Sequence, residues 1–261
     1  MTPRWPGGLR PLSVAFAVLA AVHLVALLTG AETVEQLTKP ALMPVLAGYV
    51  LARGGPALLA GALLFGCGGD TFLQIGGDLV FLVGMGSFAA GHLCYLLLFA
   101  RHGAGPGPGR RGRTAALTAA YAAALVGTVA LLWPGLPAEL RIPVAGYSLL
   151  LTAMAFGALR AGPWATAGGL LFLLSDTLIA SGIAHWPQLP APQFWIMVTY
   201  VAAQCALTIG VLRSAADAEP RPPPATRETS RRPASRKAGG FESPPWEPRQ
   251  WTACTRTARA H

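Results

Sequence analysis

Two aspartates lie inside long apolar stretches of this 261-residue chain. Asp70 belongs to a run that also contains Asp78, His92 and Tyr95, and Asp176 lies in a similar run further along the chain. A carboxylate within the roughly 30 Å of membrane hydrocarbon is costly, and it usually faces a bundle interior or a polar cavity. Two carboxyl groups that meet in a dry site can share one proton, which supplies one acid and one anion. We therefore treat Asp70 and Asp176 as candidate functional residues.

The composition is typical of a polytopic membrane protein. Hydrophobic residues make up 53% of the sequence and charged residues 12%, which argues against a soluble domain with a single core. The net charge of +9 comes from short loops and a tail, as expected at the cytoplasmic flanks of membrane helices. We expect a lipid bilayer as partner and no nucleic acid. The cysteines have no CxxC spacing, so we predict no metal, no other cofactor and no disulfide framework; they are Cys67, Cys94, Cys205 and Cys254.

Apolar runs divide the chain into eight predicted helices, which gives an all-α fold. Most approach the roughly 20 residues needed to span a bilayer. The second is short, and we expect it to extend through Leu37 or to be buried within the bundle. The first has a basic start but no clear cleavage site, so we interpret it as a retained helix. The runs are Pro11 to Leu28, Pro40 to Ala52, Pro56 to Gln74, Leu79 to Ala100, Thr114 to Trp133, Ile142 to Leu159, Pro163 to Ile183 and Gln193 to Leu212.

Basic residues orient the predicted bundle. On an alternating path of eight helices, nine arginines fall on one side, against Lys39 and Arg141 on the other. By the positive-inside rule, both termini are then cytoplasmic. We expect an integral protein of a bacterial plasma membrane. The nine are Arg4, Arg10, Arg53, Arg101, Arg110, Arg111, Arg113, Arg160 and Arg213.

The composition changes abruptly after Arg213. Residues 214–261 are rich in Pro, Arg, Ser and Thr and contain few aliphatic side chains. Such a segment cannot bury enough apolar surface to order itself. We therefore predict a membrane domain over residues 1–213, followed by a disordered basic cytoplasmic tail.

Two sequence elements recur at a nearly constant offset. LLFGCGGDT around Asp70 is matched by LLFLLSDT around Asp176, 106 residues later, and Tyr95 is matched by Tyr200. This pattern predicts a tandem 4+4 repeat over about residues 11–100 and 114–213, with both halves in the same orientation. The two aspartates would then face each other across a pseudo-twofold centre.

Three other polar residues also have candidate roles. His92 lies one helical turn from Tyr95, which places both on one face. Lys39, at the outer boundary, can anchor its helix by snorkelling or can hold a lipid phosphate. Asp78 follows two glycines, and we expect it to cap helix four.

The chain resembles the YhhN-like integral membrane proteins, which include the lysoplasmalogenases. The resemblance covers about residues 39–212. It implies an eight-helix enzyme that hydrolyses the vinyl-ether bond of lysoplasmalogen, with Asp70 and Asp176 matching the proposed catalytic pair. One position departs from the family pattern, because Gly66 stands where Ser is usual. The matching motifs are KPALMP from Lys39, GD at Gly69 and Asp70, GxxxFxxxHxxY from Gly84 to Tyr95, FxxSD from Phe172 to Asp176, and YxxxQ from Tyr200 to Gln204.

Vinyl-ether hydrolysis requires one acid and one anion. Protonation of the β-carbon gives an oxocarbenium ion, which water captures as a hemiacetal that collapses to aldehyde and alcohol. Either aspartate could donate the proton while the other stabilises the cation and orients water. The substrate would be a lysophospholipid. We predict Asp70, Asp176 and His92 as catalytic residues, and Lys39, Tyr95, Tyr200 and Gln204 as substrate-binding residues.

Two other classes of function fit the same pattern. Parallel repeats with carboxylates near the membrane midplane also build proton-coupled transporters. A non-catalytic lipid-binding membrane protein is a third possibility, although it gives the two aspartates no role. The sequence leaves the oligomeric state open.

Overall fold

The computed structural model describes residues 9–103 and 111–218. Within these ranges the protein consists of eight α-helices with short connections and no β-strand, so the predicted all-α class is confirmed. A short 3-10 helix, Leu159–Ala161, follows the sixth. The α-helices are α1 (Leu9–Thr29), α2 (Glu32–Ala52), α3 (Ala57–Ile75), α4 (Asp78–His102), α5 (Arg111–Leu132), α6 (Ala138–Ala158), α7 (Pro163–Ile183) and α8 (Pro192–Ala218).

Helix α2 differs most from its predicted run, because it begins at Glu32 rather than Pro40. Glu32 and Glu35 lie in its first turn, where negative charge is favourable at the positive end of the helix dipole. Pro40 and Pro44 are accommodated within the helix. The extension makes α2 as long as its neighbours.

Seven of the eight helices are long and apolar enough to cross a membrane. Helix α2 is not among them; its first half carries Glu32, Glu35 and Lys39. Apolar side chains such as Val14, Val18 and Val25 of α1 are exposed on the surface of the bundle, where hydrocarbon would cover them. The protein is an integral membrane protein.

Helices close in sequence form the main contacts. Helix α3 packs on α2 and α4, α7 packs on α8, and α4 also contacts α6. The buried side chains between them include Leu42, Leu63, Phe99, Met154 and Leu207. Helix α5 lies at the edge and contacts α6 and, more sparsely, α7. The core is therefore built mainly from α2, α3, α4, α6, α7 and α8.

Loop contacts show which helix ends lie together. Gly55 lies against Leu212, and Gly103 lies against Arg160. The Ser214 hydroxyl donates to the Ala161 carbonyl over 3.0 Å. At the other end, Gly135 lies against Ala184. The first end carries the arginines that follow or end the even-numbered helices, namely Arg53, Arg101, Arg160 and Arg213.

Several sequence predictions fall outside the described residues: those for Arg4, Arg110, Cys254 and residues 219–261. Helix α8 itself continues through Ala218, past the boundary placed at residue 213.

The prediction for Asp78 was wrong in detail. The cap position of α4 is Gly77, with no side-chain cap hydrogen bond, and Asp78 is an exposed residue of the first turn.

Two glycines allow α7 and α8 to approach closely. A Cβ added at Gly210 would lie 2.6 Å from the Cβ of Ala165, and one added at Gly168 would lie 2.8 Å from Leu207 Cγ. Small residues at helix contacts are a common device of membrane proteins, where backbone proximity strengthens packing.

Gly210→Ala is therefore expected to destabilise the bundle by about 1–3 kcal/mol, because the two helices must separate to admit one methyl group. Gly127→Ala in α5 makes the same chemical change with nothing within 4 Å of the added Cβ. It should leave stability unchanged or slightly improved, as expected for Ala in a helix. Thermal unfolding in detergent measures both variants. Equal midpoints for the two would contradict the close contact.

Candidate functional site

Asp70 and Asp176 line one cavity of about 410 Å³, together with Lys39 and Tyr200. We call it the Asp cavity. The Asp70 side chain is almost completely buried at 4% exposure, and Asp176 is half-buried. The four residues come from α3, α7, α2 and α8. Helices distant in sequence thus bring two carboxyl groups and one ammonium group to the same space.

Asp70 lies at the end of a hydrogen-bonded series that we call the Asp70 network. The Tyr200 hydroxyl lies close to the Asp70 carboxyl and interacts with it. Gln204 Nε2 donates to Tyr200 Oη over 3.4 Å, and Tyr95 Oη donates to Gln204 Oε1 over 2.6 Å. Tyr95, Tyr200 and Gln204 are buried. Asp70 Oδ2 is buried without a hydrogen-bond partner in the described part of the chain.

Asp176 has a corresponding set of partners, which we call the Asp176 network. The Tyr147 hydroxyl donates to Asp176 Oδ2. His92 Nε2 lies 3.0 Å from the same hydroxyl oxygen. Because the single hydroxyl hydrogen of Tyr147 is directed to Asp176, His92 must donate through Nε2. Its Nδ1 is then an acceptor, and it is buried without a partner among the described residues.

Aromatic rings separate the two networks. Phe172 packs edge-on against His92, with centroids 4.8 Å apart, and against Tyr200, with centroids 5.5 Å apart. Phe88 packs edge-on against Phe172 and Tyr200. A side chain at Gly69 would overlap the Phe88 ring, so the glycine beside Asp70 allows this ring to reach its position. The two phenylalanine rings fix the Tyr200 side chain in edge-to-face contacts.

The predicted site residues therefore occupy two layers. Asp70, Asp176, Lys39 and Tyr200 line the Asp cavity. The others lie behind it, because Tyr95 and Gln204 support Tyr200, and His92 supports Tyr147. They do not line the Asp cavity.

Tyr147 was not identified from the sequence. The available signal was weak: a single tyrosine in the otherwise apolar middle of α6, whose hydroxyl needs a hydrogen-bond partner when buried. The sequence repeat directed attention to Tyr95 and Tyr200 instead. Asp176 in fact receives its tyrosine hydrogen bond from α6.

The arrangement can transfer a proton and balance a positive charge. Asp176 accepts a hydrogen bond from Tyr147, Asp70 interacts with the Tyr200 hydroxyl, and Lys39 adds a positive charge that acts on Asp70. A negatively charged ligand group fits beside an ammonium group in such a cavity. Across the described ranges, no group of three or more His, Cys, Asp or Glu residues is placed to hold a metal ion.

Known proteins with similar sequences share one name. Lysoplasmalogenase TMEM86B of Sus scrofa is 36% identical over 178 residues, which cover 66% of this chain and 74% of that protein. The Homo sapiens protein of that name is 36% identical over 161 residues, covering 62% and 66%. A lysoplasmalogenase of Mycobacterium tuberculosis is 36% identical over 162 residues, covering 58% and 59%. The chain thus matches about three fifths to three quarters of each relative. No solved structure matches.

A sequence model of the YhhN family matches residues 34–211. This range contains α3, α4, α5, α6 and α7 in full, nearly all of α2 and most of α8. It also contains Lys39 and every residue of the two networks. The match covers more than half of the chain and all of the candidate site, so the chain belongs to the YhhN family.

Proposed function

We propose that the protein hydrolyses the vinyl-ether bond of lysoplasmalogen and releases a fatty aldehyde and a glycerophospho-base. The name lysoplasmalogenase, shared by relatives at 36% identity, supports the substrate. The observation that carries the proposal is the Asp cavity, in which Asp70 and Asp176 share one space. A vinyl ether needs a proton donor and a stabilising anion, and paired carboxyls supply both in related oxocarbenium chemistry.

The reaction proceeds through four proton transfers in two stages. In the first stage, one aspartic acid protonates the β-carbon of the vinyl ether, which converts the double bond to an oxocarbenium ion, and the other aspartate stabilises this cation and accepts a proton from the attacking water. In the second stage, the hemiacetal gives its hydroxyl proton to the first aspartate while the second, now protonated, protonates the glycerol oxygen. The glycerol leaves as an alcohol, the aldehyde remains, and both carboxyls return to their starting protonation states. Lys39 binds the substrate phosphate as a point charge.

The residues behind the cavity act by positioning. His92 directs the Tyr147 hydroxyl toward Asp176, and Gln204 with Tyr95 directs the Tyr200 hydroxyl toward Asp70. Each tyrosine then holds one carboxyl in a fixed orientation, which matters because reactive groups must be placed to within fractions of an ångström. His92, Tyr95 and Gln204 thus contribute without contacting the substrate.

The distribution of charge along the bundle supports an arrangement in the membrane. We propose eight membrane-spanning helices in a 4+4 repeat, with α2 crossing inside the bundle, and both termini in the cytoplasm of a bacterial cell. The arginines gathered at one end support this orientation, and a mycobacterial relative supports the host. Gln188, between α7 and α8, and Gln193, in the first turn of α8, line the Asp cavity near the opposite end. The site therefore opens toward the outer face.

A panel of lysophospholipids tests the activity. The purified protein should release aldehyde from the vinyl-ether lysolipid and no fatty acid from its ester counterpart. Fatty acid release would identify an esterase. Movement of substrate into the lumen of proteoliposomes without aldehyde would identify a carrier, and both results would overturn the proposal.

Tyr147→Phe is expected to lower turnover about 10- to 150-fold, because a hydrogen bond to a charged group contributes ~1.5–3 kcal/mol. The phenyl ring keeps the packing, so the variant should fold and still bind lysolipid. Tyr49→Phe is the matched control, since its hydroxyl pairs with Arg53 and does not line the Asp cavity. Steady-state kinetics of aldehyde release measures both. Wild-type turnover in Tyr147→Phe would remove Tyr147 from the site.

A further inference from the structure

An apolar cleft of about 160 Å³ lies beside the Asp cavity. It is lined mainly by side chains of α4, α5, α6 and α7, most of them apolar. The two spaces are adjacent, and Asp176 lies on their common wall. The side chains that line both are Leu73, Phe81, Phe88, Asp176, Ile179 and Ile183.

Helix α5 forms the outer wall of this cleft. It is the least buried of the seven apolar helices, and it contacts α6 and, more sparsely, α7. Residues of α4 line the opposite wall. A hydrocarbon chain in this cleft would have apolar surroundings like those of the lipid core.

We propose that the cleft binds the single hydrocarbon chain of the lysolipid, an inference that rests on the proposed function. The lining residues of α5 extend from Leu132, at the end of the helix, to Tyr121, at its middle. A chain in the cleft therefore points toward the centre of the membrane. The glycerophosphate lies in the Asp cavity near Lys39, and the vinyl-ether bond that joins the two parts lies beside Asp176.

This placement agrees with the orientation of a lipid in the outer leaflet. Gly135, which follows α5, lies against Ala184 at the end of α7, so the Leu132 end of the cleft is at the same end of the bundle as Gln188. The polar part of the substrate lies toward that end and its chain toward the middle, as both do in the leaflet. A lysolipid can therefore move laterally from the outer leaflet into the site without being turned over.

Ala124→Trp tests the assignment. Ala124 is exposed and lines the cleft, and a helical side chain extends toward the N-terminal end of its helix, here toward the deep end of the cleft. Turnover of a long-chain lysoplasmalogen should fall about tenfold, equivalent to ~1.4 kcal/mol, while a short-chain homologue reacts normally. Ala123→Trp, exposed but outside the cleft, should leave the ratio of the two rates unchanged.

Photolabelling gives a readout that does not need turnover. A lysolipid with a diazirine at the end of its chain, bound to Asp70→Asn, should label α5 near Tyr121 or α6 near Thr152. Excess unlabelled lysolipid should prevent this labelling. Competed labelling at Val14 or Val25, which are exposed on α1, would instead overturn the cleft assignment.

The two proposals fail in different ways. Aldehyde release with an unchanged chain-length ratio in Ala124→Trp and no competed label in the cleft would overturn the chain site and leave the activity intact. Competed label in the cleft without aldehyde from the wild-type protein would support the chain site and overturn the proposed reaction.

Discussion

Asp70→Asn and Asp176→Asn are each expected to lower turnover by about 10²- to 10⁴-fold, because an amide can neither protonate carbon nor balance the cation. Both carboxyls line the Asp cavity, and each has a tyrosine hydroxyl beside it. Asparagine has nearly the same shape and can keep this contact. The loss should therefore appear in the chemical step, and aldehyde release under saturating substrate measures it.

Matched controls separate chemistry from folding. Asp78→Asn makes the same change at an exposed position in the first turn of α4 and should retain full turnover. The two site variants should purify with a normal melting profile, since replacing a buried charge by an amide is not inherently destabilising. They should also bind an unreactive alkyl-ether lysolipid with little change. Full turnover in either site variant would exclude the paired-carboxyl mechanism.

A reaction run in heavy water should place one deuterium on the carbon next to the aldehyde carbonyl. The label follows from protonation of the β-carbon by a group that exchanges with solvent, which here is an aspartic acid. If this transfer is the slow step, turnover should also show a primary solvent isotope effect. Mass spectrometry of the trapped aldehyde measures the label.

The control for this result is the aldehyde itself, incubated with the protein in heavy water for the same time. It should gain little deuterium, because exchange through the enol is slower than the enzymatic reaction. Unlabelled aldehyde from the vinyl ether would show that carbon is not protonated from an exchangeable group, and the mechanism would then be wrong.

Much of the architecture was predictable because a helix that spans a membrane needs roughly 20 consecutive, mostly apolar residues. Apolar runs located all eight helices, and their ends shifted by a few residues except at the start of α2 and the end of α8. In α2 the segment from Glu32 to Lys39 concealed a helix, because most of its side chains are polar and so break the apolar pattern. The carboxyls at Asp70 and Asp176 stood out because charges inside apolar runs are rare.

The partners of these carboxyls were harder to predict. The repeat suggested equivalent roles for Tyr95 and Tyr200, yet Tyr200 contacts Asp70 whereas Tyr95 contacts Gln204. The tyrosine on Asp176 comes from α6, at a position that neither the repeat nor helical periodicity singles out. Periodicity indicates which residues share a face of one helix, but it does not indicate how neighbouring helices rotate against each other. That rotation placed His92 behind Tyr147 rather than on the cavity wall.

The common wall at Asp176 lies between an apolar cleft and a cavity that holds charged side chains. Under the proposed mechanism, cleavage there separates a water-insoluble aldehyde, left in the hydrocarbon phase, from a water-soluble phosphodiester that diffuses away on the polar side. The two products then leave in different media, and this partition opposes the reverse reaction without a separate step that expels either one.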